Sequence, residues 1–215
     1  MKFASFLLLV IFLSSACKKD KSTSLTIDGT VSSALNGIKL SNASVVASQK
    51  VVIGGVFNNN YVTAASASTD GGGAYRLAWE NESPVAVKVD VTCPGYISQA
   101  ITVDPSSLSV TATKTINVAL HTASTISVHM QNTGASASND VCLFRFENAL
   151  FDCVCCNNDW KTFNGPSVNE SFTCKSYGGQ WLKYRKSLQT IEIDTLIHDS
   201  VFVPSFETVN IEVNY

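Results

Sequence analysis

Histidine is scarce in this sequence, and the motifs that carry common catalytic chemistry are missing. The three histidines, His121, His129 and His198, are scattered singly along the chain. No His-Glu-x-x-His zinc motif, Gly-x-Ser-x-Gly elbow, P-loop or dinucleotide fingerprint occurs. We therefore expect a protein that is not an enzyme, with no catalytic residue, no metal site and no cofactor.

Charge is also low, and basic residues show no excess. Charged residues make up 15% of the chain, with 15 Lys and Arg against 17 Asp and Glu. Removal of residues 1–16 takes away Lys2 and leaves 14 basic and 17 acidic residues, a formal charge of −3. A protein that binds a phosphate backbone needs basic side chains to neutralise it. We do not expect nucleic acid as a partner.

The apolar segment near the N-terminus is too short to span a bilayer. Phe3–Leu13 is interrupted by Ser5 and has 11 residues, whereas a membrane helix needs roughly 20. It follows a lysine and precedes small residues and then Cys17, which is the order of a secretory signal. We predict a signal peptide over residues 1–16 and a flexible tether over residues 17–24.

The residues around Cys17 resemble a bacterial lipoprotein signal, and the Cys-Lys-Lys-Asp start is similar to lipoproteins of the Bacteroidetes. The aliphatic residue usual three positions before the cysteine is Ser14 here, with Leu13 one position earlier. Ordinary cleavage that leaves Cys17 with a free thiol is the alternative. The resemblance implies a lipid on Cys17 that anchors the protein in the outer membrane, on the periplasmic or the cell-surface face.

Long helical patterns are missing, and alternation with a period of two dominates from Leu25 onward. The clearest alternating runs are Val85–Cys93, with the valines as the inward set, Ile126–Gln131 and Thr208–Tyr215. Glycine-containing turns separate such runs at intervals of about ten residues, as in β-sandwiches. We predict an all-β chain of antiparallel sheets.

The number of alternating runs favours two β-sandwiches in tandem. We place the first domain at residues 25–121 and a second, cysteine-containing domain at residues 122–215. The join between them is short and has no proline-rich spacer, so we expect the domains to pack against each other. A single continuous sandwich is the alternative.

Four groups of residues in the first predicted domain are landmarks of a known family. They are Gly29-Thr30-Val31, Leu40–Val45, Thr69-Asp70 followed by Gly73-Ala74-Tyr75, and Pro94-Gly95-Tyr96. These groups resemble the carboxypeptidase regulatory-like family, a transthyretin-type seven-stranded sandwich, over residues 25–120. The resemblance implies a non-catalytic module, because such domains accompany peptidases, transporters and adhesins as folding or interaction units.

Cysteines concentrate in the second predicted domain, where Cys153, Cys155 and Cys156 lie between Cys142 and Cys174. Thiolates at such spacing bind zinc or copper in some proteins, but an exported protein meets an oxidising compartment that favours disulfides. Buried free thiols are a third option, and Cys142 fits it because it shares a strand face with two phenylalanines. We favour a disulfide between Cys174 and one of the three clustered cysteines, whose connectivity the sequence leaves open.

Trp160 and Trp181 are candidate ligand-binding residues. A flat aromatic ring beside amide and charged groups offers an apolar surface with polar neighbours, which suits a sugar. Trp181 alternates with Leu182 and Tyr184, and one of these two sets must face the core. Packing alone is therefore the alternative interpretation for Trp181.

Asp194-Thr195-Leu196 and Asp199-Ser200-Val201 resemble the short O-glycosylation sequons of exported Bacteroidetes proteins. The resemblance implies modification at Thr195 and Ser200. Because the two copies flank His198, we expect this histidine to lie in an exposed loop. His129 is expected on the polar face of a strand, and His121 in a loop.

The leading hypothesis is a lipid-anchored envelope protein whose sandwiches bind a partner. The partner is either a glycan or an outer-membrane transport or adhesion complex. A purely structural envelope scaffold is the first alternative. A thiol-dependent hydrolase that uses the segment Cys153–Asp159 is the less favoured one.

Overall fold

The computed structural model describes residues 23–134, 141–148, 158–189 and 194–215. These residues form strands and one 3₁₀ turn, Pro105–Ser107, and no helix among them is long and apolar enough to cross a membrane. In chain order the strands are β1 (Ser24–Ser33), β2 (Ser44–Lys50), β3 (Val52–Ile53), β4 (Val56–Phe57), β5 (Val62–Ser68), β6 (Ala74–Glu80), β7 (Ala86–Thr92), β8 (Gln99–Val103), β9 (Lys114–Thr115), β10 (Val118–Leu120), β11 (Ala123–Gln131), β12 (Val141–Phe146), β13 (Lys161–Asn164), β14 (Asn169–Tyr177), β15 (Gln180–Gln189), β16 (Asp194–Val203) and β17 (Thr208–Asn214). The predicted all-β class is confirmed.

The first sandwich stacks the sheet β10-β1-β6, with β9 also paired to β1, on the sheet β5-β2-β7-β8. Its core is made of the inward side chains of both sheets, namely Leu25, Ile27, Val31, Val45, Ala47, Tyr75, Leu77, Trp79, Val87, Val89, Val91, Val118 and Leu120. The valines of β7 are fully buried, as their alternation with Lys88 and Asp90 predicts. Each buried valine contributes roughly 2 kcal/mol of hydrophobic stabilisation.

The second sandwich stacks the sheet β14-β11-β17 on the sheet β13-β12-β15-β16. Its core consists of Ile126, Val128, Met130, Cys142, Phe144, Phe146, Phe163, Val168, Cys174, Leu182, Tyr184, Val203, Ile211 and Val213. Phe144 lies at its centre, with the rings of Phe146 and Tyr184 at centroid distances of 5.2 and 5.5 Å. The two-sandwich architecture is confirmed.

Not every strand pair is antiparallel. β1 pairs in parallel with both β9 and β10, and β11 pairs in parallel with β17. Alternation reports which side chains are buried and carries no information on strand direction, so these parallel pairs were not predictable from the pattern.

The two ends of the first sandwich differ in what they carry. At one end, Ser24 at the start of β1 pairs with Glu80 at the end of β6, and Lys50 at the end of β2 pairs with Ala86 at the start of β7. The loop that follows β6 closes this end, since Asn81 N donates a hydrogen bond of 2.8 Å to the carbonyl of Thr23. We call this the N-terminal end. The opposite end carries the second sandwich.

The joint between the sandwiches is hydrogen-bonded through the backbone. Ile97 N donates to His121 O over 2.8 Å, and Ala123 N donates to Gly95 O over 2.8 Å. We call residues 121–124 the link. On its second-sandwich side, Phe206 N donates to Ala123 O over 3.1 Å. The link therefore joins a turn of each sandwich, and the side chain of Phe206 packs edge-on against Tyr96 with a centroid distance of 5.5 Å.

Candidate binding face

Outward side chains on the sheet β13-β12-β15-β16 form a cluster of aromatic and charged groups. We call this surface the outer face; its members are Arg145, Glu147, Trp160, Trp181, Lys183, Arg185, His198, Ser200 and Phe202. Strand register places them in rows, because Trp181 lies opposite Phe202, Lys183 opposite Ser200, and Arg185 between Arg145 and His198.

Trp181 faces solvent. It is 61% exposed, whereas Leu182 and Tyr184 are 2% and 8% exposed and pack in the core. Of the two alternating sets of β15, the Leu182/Tyr184 set is thus the one that packs. The Trp181 ring lies against Phe202 with a centroid distance of 5.6 Å and an interplanar angle of 62°. The pair makes an apolar corner on an otherwise polar surface.

Asn148 holds the strand beneath this corner. Its Nδ2 donates to the carbonyl of Trp181 over 2.9 Å, and its Oδ1 accepts from Lys183 N over 2.7 Å. The amide side chain thus satisfies both backbone groups that flank Leu182, as a neighbouring strand would. The backbone under Trp181 is fixed at two points.

Glu147 supplies a fixed negative charge beside the aromatic pair. Arg185 Nε donates a hydrogen bond to Glu147 Oε1, and His198 Nδ1 lies 3.7 Å from the same oxygen. Partial burial works to raise the pKa of Glu147, but the hydrogen bond and charge of Arg185, aided by His198, lower it on balance. The carboxylate is therefore a hydrogen-bond acceptor rather than a proton donor near neutral pH.

A shallow depression adjoins the aromatic pair. It has a volume of about 380 Å³ and is lined by Glu147, Lys183, His198, Asp199 and Ser200. Its rim combines acceptors and donors, because a carboxylate, an ammonium group and a hydroxyl all face it. Such a surface can hold a polar ligand whose apolar side rests on an aromatic ring.

Trp160 lies on the same face but apart from Trp181. The guanidinium carbon of Arg145 lies 4.6 Å from the centre of the Trp160 ring. Arg145 is level with Arg185, four residues along β15 from Trp181. Strand geometry therefore separates the two tryptophans by on the order of 15 Å. One small ligand cannot contact both.

The two predicted glycosylation residues and His198 all lie in β16. Thr195 is half-buried and Ser200 is exposed, and both lie in β16 at the edge of the sheet. The expectation that His198 lies in a loop is wrong: it lies inside β16, because ten residues of this segment pair with β15. Glycosylation of Thr195 and Ser200 stays a prediction.

Three of the cysteines lie among the described residues and four lie outside them. Cys93 and Cys142 are free thiols, half-buried and buried respectively, whereas the buried Cys174 is disulfide-bonded. Cys17, Cys153, Cys155 and Cys156 lie outside the described residues, so lipid attachment and the disulfide pairing stay predictions. The described residues contain no group of three or more His, Cys, Asp or Glu placed to hold a metal ion.

His129 lies on the polar side of β11, as its alternation predicts. Its Nδ1 lies 2.7 Å from Glu212 Oε2, and its Nε2 lies 2.8 Å from Asn169 Oδ1. The hydrogen bonds to Asn169 and to Glu212 raise the pKa of His129 above its ordinary value of 6.5. Both ring nitrogens donate only in the charged form, so this arrangement favours the imidazolium.

A pH dependence follows from this pair. Because the pKa is raised in the folded state, the stabilisation is complete below the ordinary pKa of 6.5 and is lost as pH rises through the folded value. We expect Glu212→Gln to lower the urea midpoint more at about pH 5.5 than at about pH 8.5. The control is Glu207→Gln, whose effect should not change with pH in this way. An equal effect of Glu212→Gln at both pH values would contradict the assignment.

Sequence reasoning missed Arg145, Glu147 and Phe202 of the outer face, and Asn148 beneath it. Phe202 continues the outward set of β16, and this alternation was obscured when His198 was assigned to a loop. Asn148 has no signal in the sequence, because its role depends on β12 and β15 lying side by side.

Comparison with known proteins gives no family. No protein-family model matches the chain, and neither does any curated protein. Solved structures that match include a 9R-lipoxygenase from Cyanothece, with 10% identity and a TM-score of 0.35, the streptococcal ancillary pilin, with 9% and 0.31, and the shaft pilin SpaA from Lactobacillus rhamnosus GG, with 10% and 0.30.

Coverage differs among these structures. The match covers 47% of this chain and 17% of the lipoxygenase, 90% of this chain and 62% of the ancillary pilin, and 89% of this chain and 98% of the shaft pilin. This chain therefore spans less than two thirds of the first two proteins. Similarity at this level does not assign a function.

Proposed function

We propose that this chain is a non-catalytic, lipid-anchored protein of the outer membrane that binds a glycan on the outer face of its second sandwich. The observation that carries the proposal is the exposed Trp181–Phe202 pair beside the depression that contains Glu147 and Lys183. The lipid on Cys17 is proposed from the leader, and membership of the first sandwich in the carboxypeptidase regulatory-like family from its landmark residues.

A glycan suits this surface because the surface offers both a flat apolar ring and polar groups that bond hydroxyls. The Trp181 ring offers a flat apolar area, and a sugar ring has an apolar face of C–H groups and a periphery of hydroxyls. Glu147 accepts hydrogen bonds and Lys183 donates them, so both roles of a hydroxyl are met within the depression. Asn148 keeps the strand in place, which reduces the ordering cost of binding.

Glu147 is poorly suited to be the acid in hydrolysis of a bound sugar. Glycoside hydrolysis needs one carboxyl group with a raised pKa to protonate the leaving oxygen. The pKa of Glu147 is lowered, and its oxygen accepts the hydrogen bond of Arg185. We therefore propose binding without turnover. The segment of the alternative thiol-dependent hydrolase lies mostly outside the described residues.

A structural scaffold is the second candidate, and the bonded joint favours it. Backbone hydrogen bonds of Ile97 and Ala123 fix the link to the first sandwich, as a spacer would require. A scaffold requires such a fixed joint, whereas a binding protein only permits one. They differ in whether the outer face retains a ligand.

Affinity electrophoresis through gels containing a panel of bacterial surface polysaccharides tests the proposal. We expect retention on at least one glycan. We expect Trp181→Ala to raise the dissociation constant about tenfold, which is equivalent to about 1.4 kcal/mol of binding free energy. The matched control is Phe57→Ala, which removes another exposed aromatic ring, from the first sandwich. Unchanged retention of the Trp181 variant would exclude this face, and no retention on any glycan would favour the scaffold.

The position of Trp160 predicts that affinity depends on the length of the glycan. Because Trp160 lies on the order of 15 Å from Trp181 by strand spacing, only an extended chain of several sugars can reach both rings. We expect Trp160→Ala to weaken binding of long oligosaccharides and to leave short ones unaffected. Titration calorimetry with a size series of the retained glycan supplies this comparison within the same experiment.

A further inference from the structure

The first sandwich carries an exposed apolar hairpin. Among the described strands, β3 and β4 pair only with each other, and Gly54 and Gly55 form the turn between them with positive φ angles. Val56 is 71% exposed and Phe57 is 52% exposed, and Val52 is exposed beside them. Apolar side chains grouped on a projecting turn indicate a surface that contacts something apolar.

This hairpin lies at the N-terminal end of the sandwich. It leaves the sheet directly after Lys50 and returns to it at Val62, and these residues lie where β2 ends and β5 begins. Val85 is exposed at the same end, where it lies just before β7 and its N–H bonds to the carbonyl of Lys50. The expectation that Val85 faces the core is therefore wrong, and this valine extends the apolar surface of the hairpin.

The predicted anchor is close to this surface. Five residues, 18–22, separate Cys17 from Thr23, where the described chain begins. Even fully extended, the six steps from Cys17 to Thr23 span only about 20 Å. A lipid on Cys17 therefore keeps the N-terminal end of the first sandwich within about 20 Å of the bilayer surface.

We propose that the hairpin tip, Val52, Val56 and Phe57, docks into the bilayer that holds the lipid of Cys17. This inference rests on the proposed lipid attachment. The tether supplies a high local concentration of membrane, so a small apolar tip that binds weakly by itself is enough for docking. The sandwich then stands on the membrane with two contacts, the lipid and the hairpin.

The side chains behind the tip suit the boundary between lipid and water. The ammonium groups of Lys50 and Lys88 lie 4.8 and 5.1 Å from the centre of the Tyr61 ring. A tyrosine ring under lysine side chains is amphipathic, with an apolar body and polar ends, and such groups favour the headgroup layer. Lys88 is paired with Asp90 over 2.8 Å, while Glu80 ends β6 and Glu82 lies in the loop that follows it. These three carboxylates outnumber the two lysines, so docking depends on apolar burial rather than on attraction to anionic headgroups.

Docking of this end orients the rest of the molecule. The joint at Tyr96 and Ala123 is at the opposite end of the first sandwich, one strand length of roughly 23 Å away for the seven residues of β7. The second sandwich is therefore held on the side away from the membrane. Its outer face is carried clear of the headgroups, where a large polysaccharide can reach it.

Fluorescence quenching by brominated lipid tests the docking. Residues 18–215 are produced with an N-terminal hexahistidine tag and held on phosphatidylcholine vesicles through nickel-chelating lipid, so the test does not require lipid on Cys17. We expect an added tryptophan in Val56→Trp to be quenched by at least a third in brominated vesicles. The matched control is Leu196→Trp, at an exposed apolar position of the second sandwich, which should show no added quenching.

A second variant tests membrane binding without an added tryptophan. We expect Val56→Glu with Phe57→Glu to lower binding of the untagged chain to plain phosphatidylcholine vesicles at least tenfold, while Leu196→Glu leaves it unchanged. Equal quenching of the two tryptophan variants would overturn the docking proposal. So would a dimer of the native chain that the glutamate variant converts to monomer, since the hairpin would then contact a second copy.

The lipid attachment has its own readout. Loss of membrane retention in Cys17→Ser, measured in cells after a high-salt wash, tests the anchor without reference to the hairpin. Retention of Cys17→Ser would remove the lipid from the proposed function and leave the vesicle result on the hairpin standing.

Discussion

Gly29→Ala is expected to lower the free energy of unfolding by about 3 kcal/mol. A Cβ at this position of β1 would lie 1.8 Å from the carbonyl oxygen of Ile116 and 2.6 Å from its carbonyl carbon. Backbone atoms cannot turn away as a side chain does, so the segment before β10 must move. That movement also disturbs the hydrogen bond of 2.8 Å that Tyr75 Oη donates to the same oxygen.

Urea unfolding followed by tryptophan fluorescence measures this loss. Trp79 is buried in the first sandwich, whereas the other two tryptophans are exposed, so the signal reports mainly on the affected core. Gly71→Ala is the matched control, because no atom lies within 4 Å of its added Cβ. A change of less than about 1 kcal/mol in Gly29→Ala would show that the Ile116 segment yields easily.

Gly178→Val is expected to disrupt the joint between the sandwiches, with a loss of about 3 kcal/mol in unfolding free energy. An added Cβ would lie 2.5 Å from the Cα of Ser205, 2.6 Å from Ser124 Oγ and 2.8 Å from Thr122 Oγ1. The two hydroxyls already donate hydrogen bonds, Thr122 to Ser205 Oγ and Ser124 to Pro204 O, at 2.9 and 2.6 Å. The turn before β15 must therefore separate from the link.

Small-angle X-ray scattering and limited proteolysis measure the joint directly. We expect a larger radius of gyration and faster cleavage near residues 121–124 in Gly178→Val, since the link loses its backbone partners there. Gly71→Val, on an open turn of the first sandwich, should leave both unchanged. If the scattering profile of the Gly178 variant matches that of the native chain, the joint does not depend on this close approach.

Much of the strand pattern was predictable from particular residues. The alternation of Val87, Val89 and Val91 with polar residues identified β7, and Ile126–Gln131 identified most of β11, because a residue's side of a strand is a local property. The alternation in β15 was also visible, but it could not say whether Trp181 or Leu182 faced the core. That choice depended on where the aromatic core around Phe144 lies.

The misassigned positions show the limit of local patterns. His198 belongs to a strand because β15 pairs with this segment along ten residues, and Val85 lies exposed before the start of β7, where its N–H bonds to the carbonyl of Lys50. Both outcomes depend on residues distant in sequence. The grouping of Glu147, Lys183 and Ser200 around one depression has the same origin, since three different segments supply its lining.

The sequence by itself determined the all-β class, the inward set of the best strands and the absence of a membrane-spanning apolar run, since each depends on neighbouring residues and on segment length. Tertiary structure alone decided the parallel pairs, the solvent-facing side of Trp181, the bonded joint and the position of the apolar hairpin at the N-terminal end. The physical reason is that strand pairing and sheet stacking join residues far apart in the chain, and alternation within one strand contains no record of its partner.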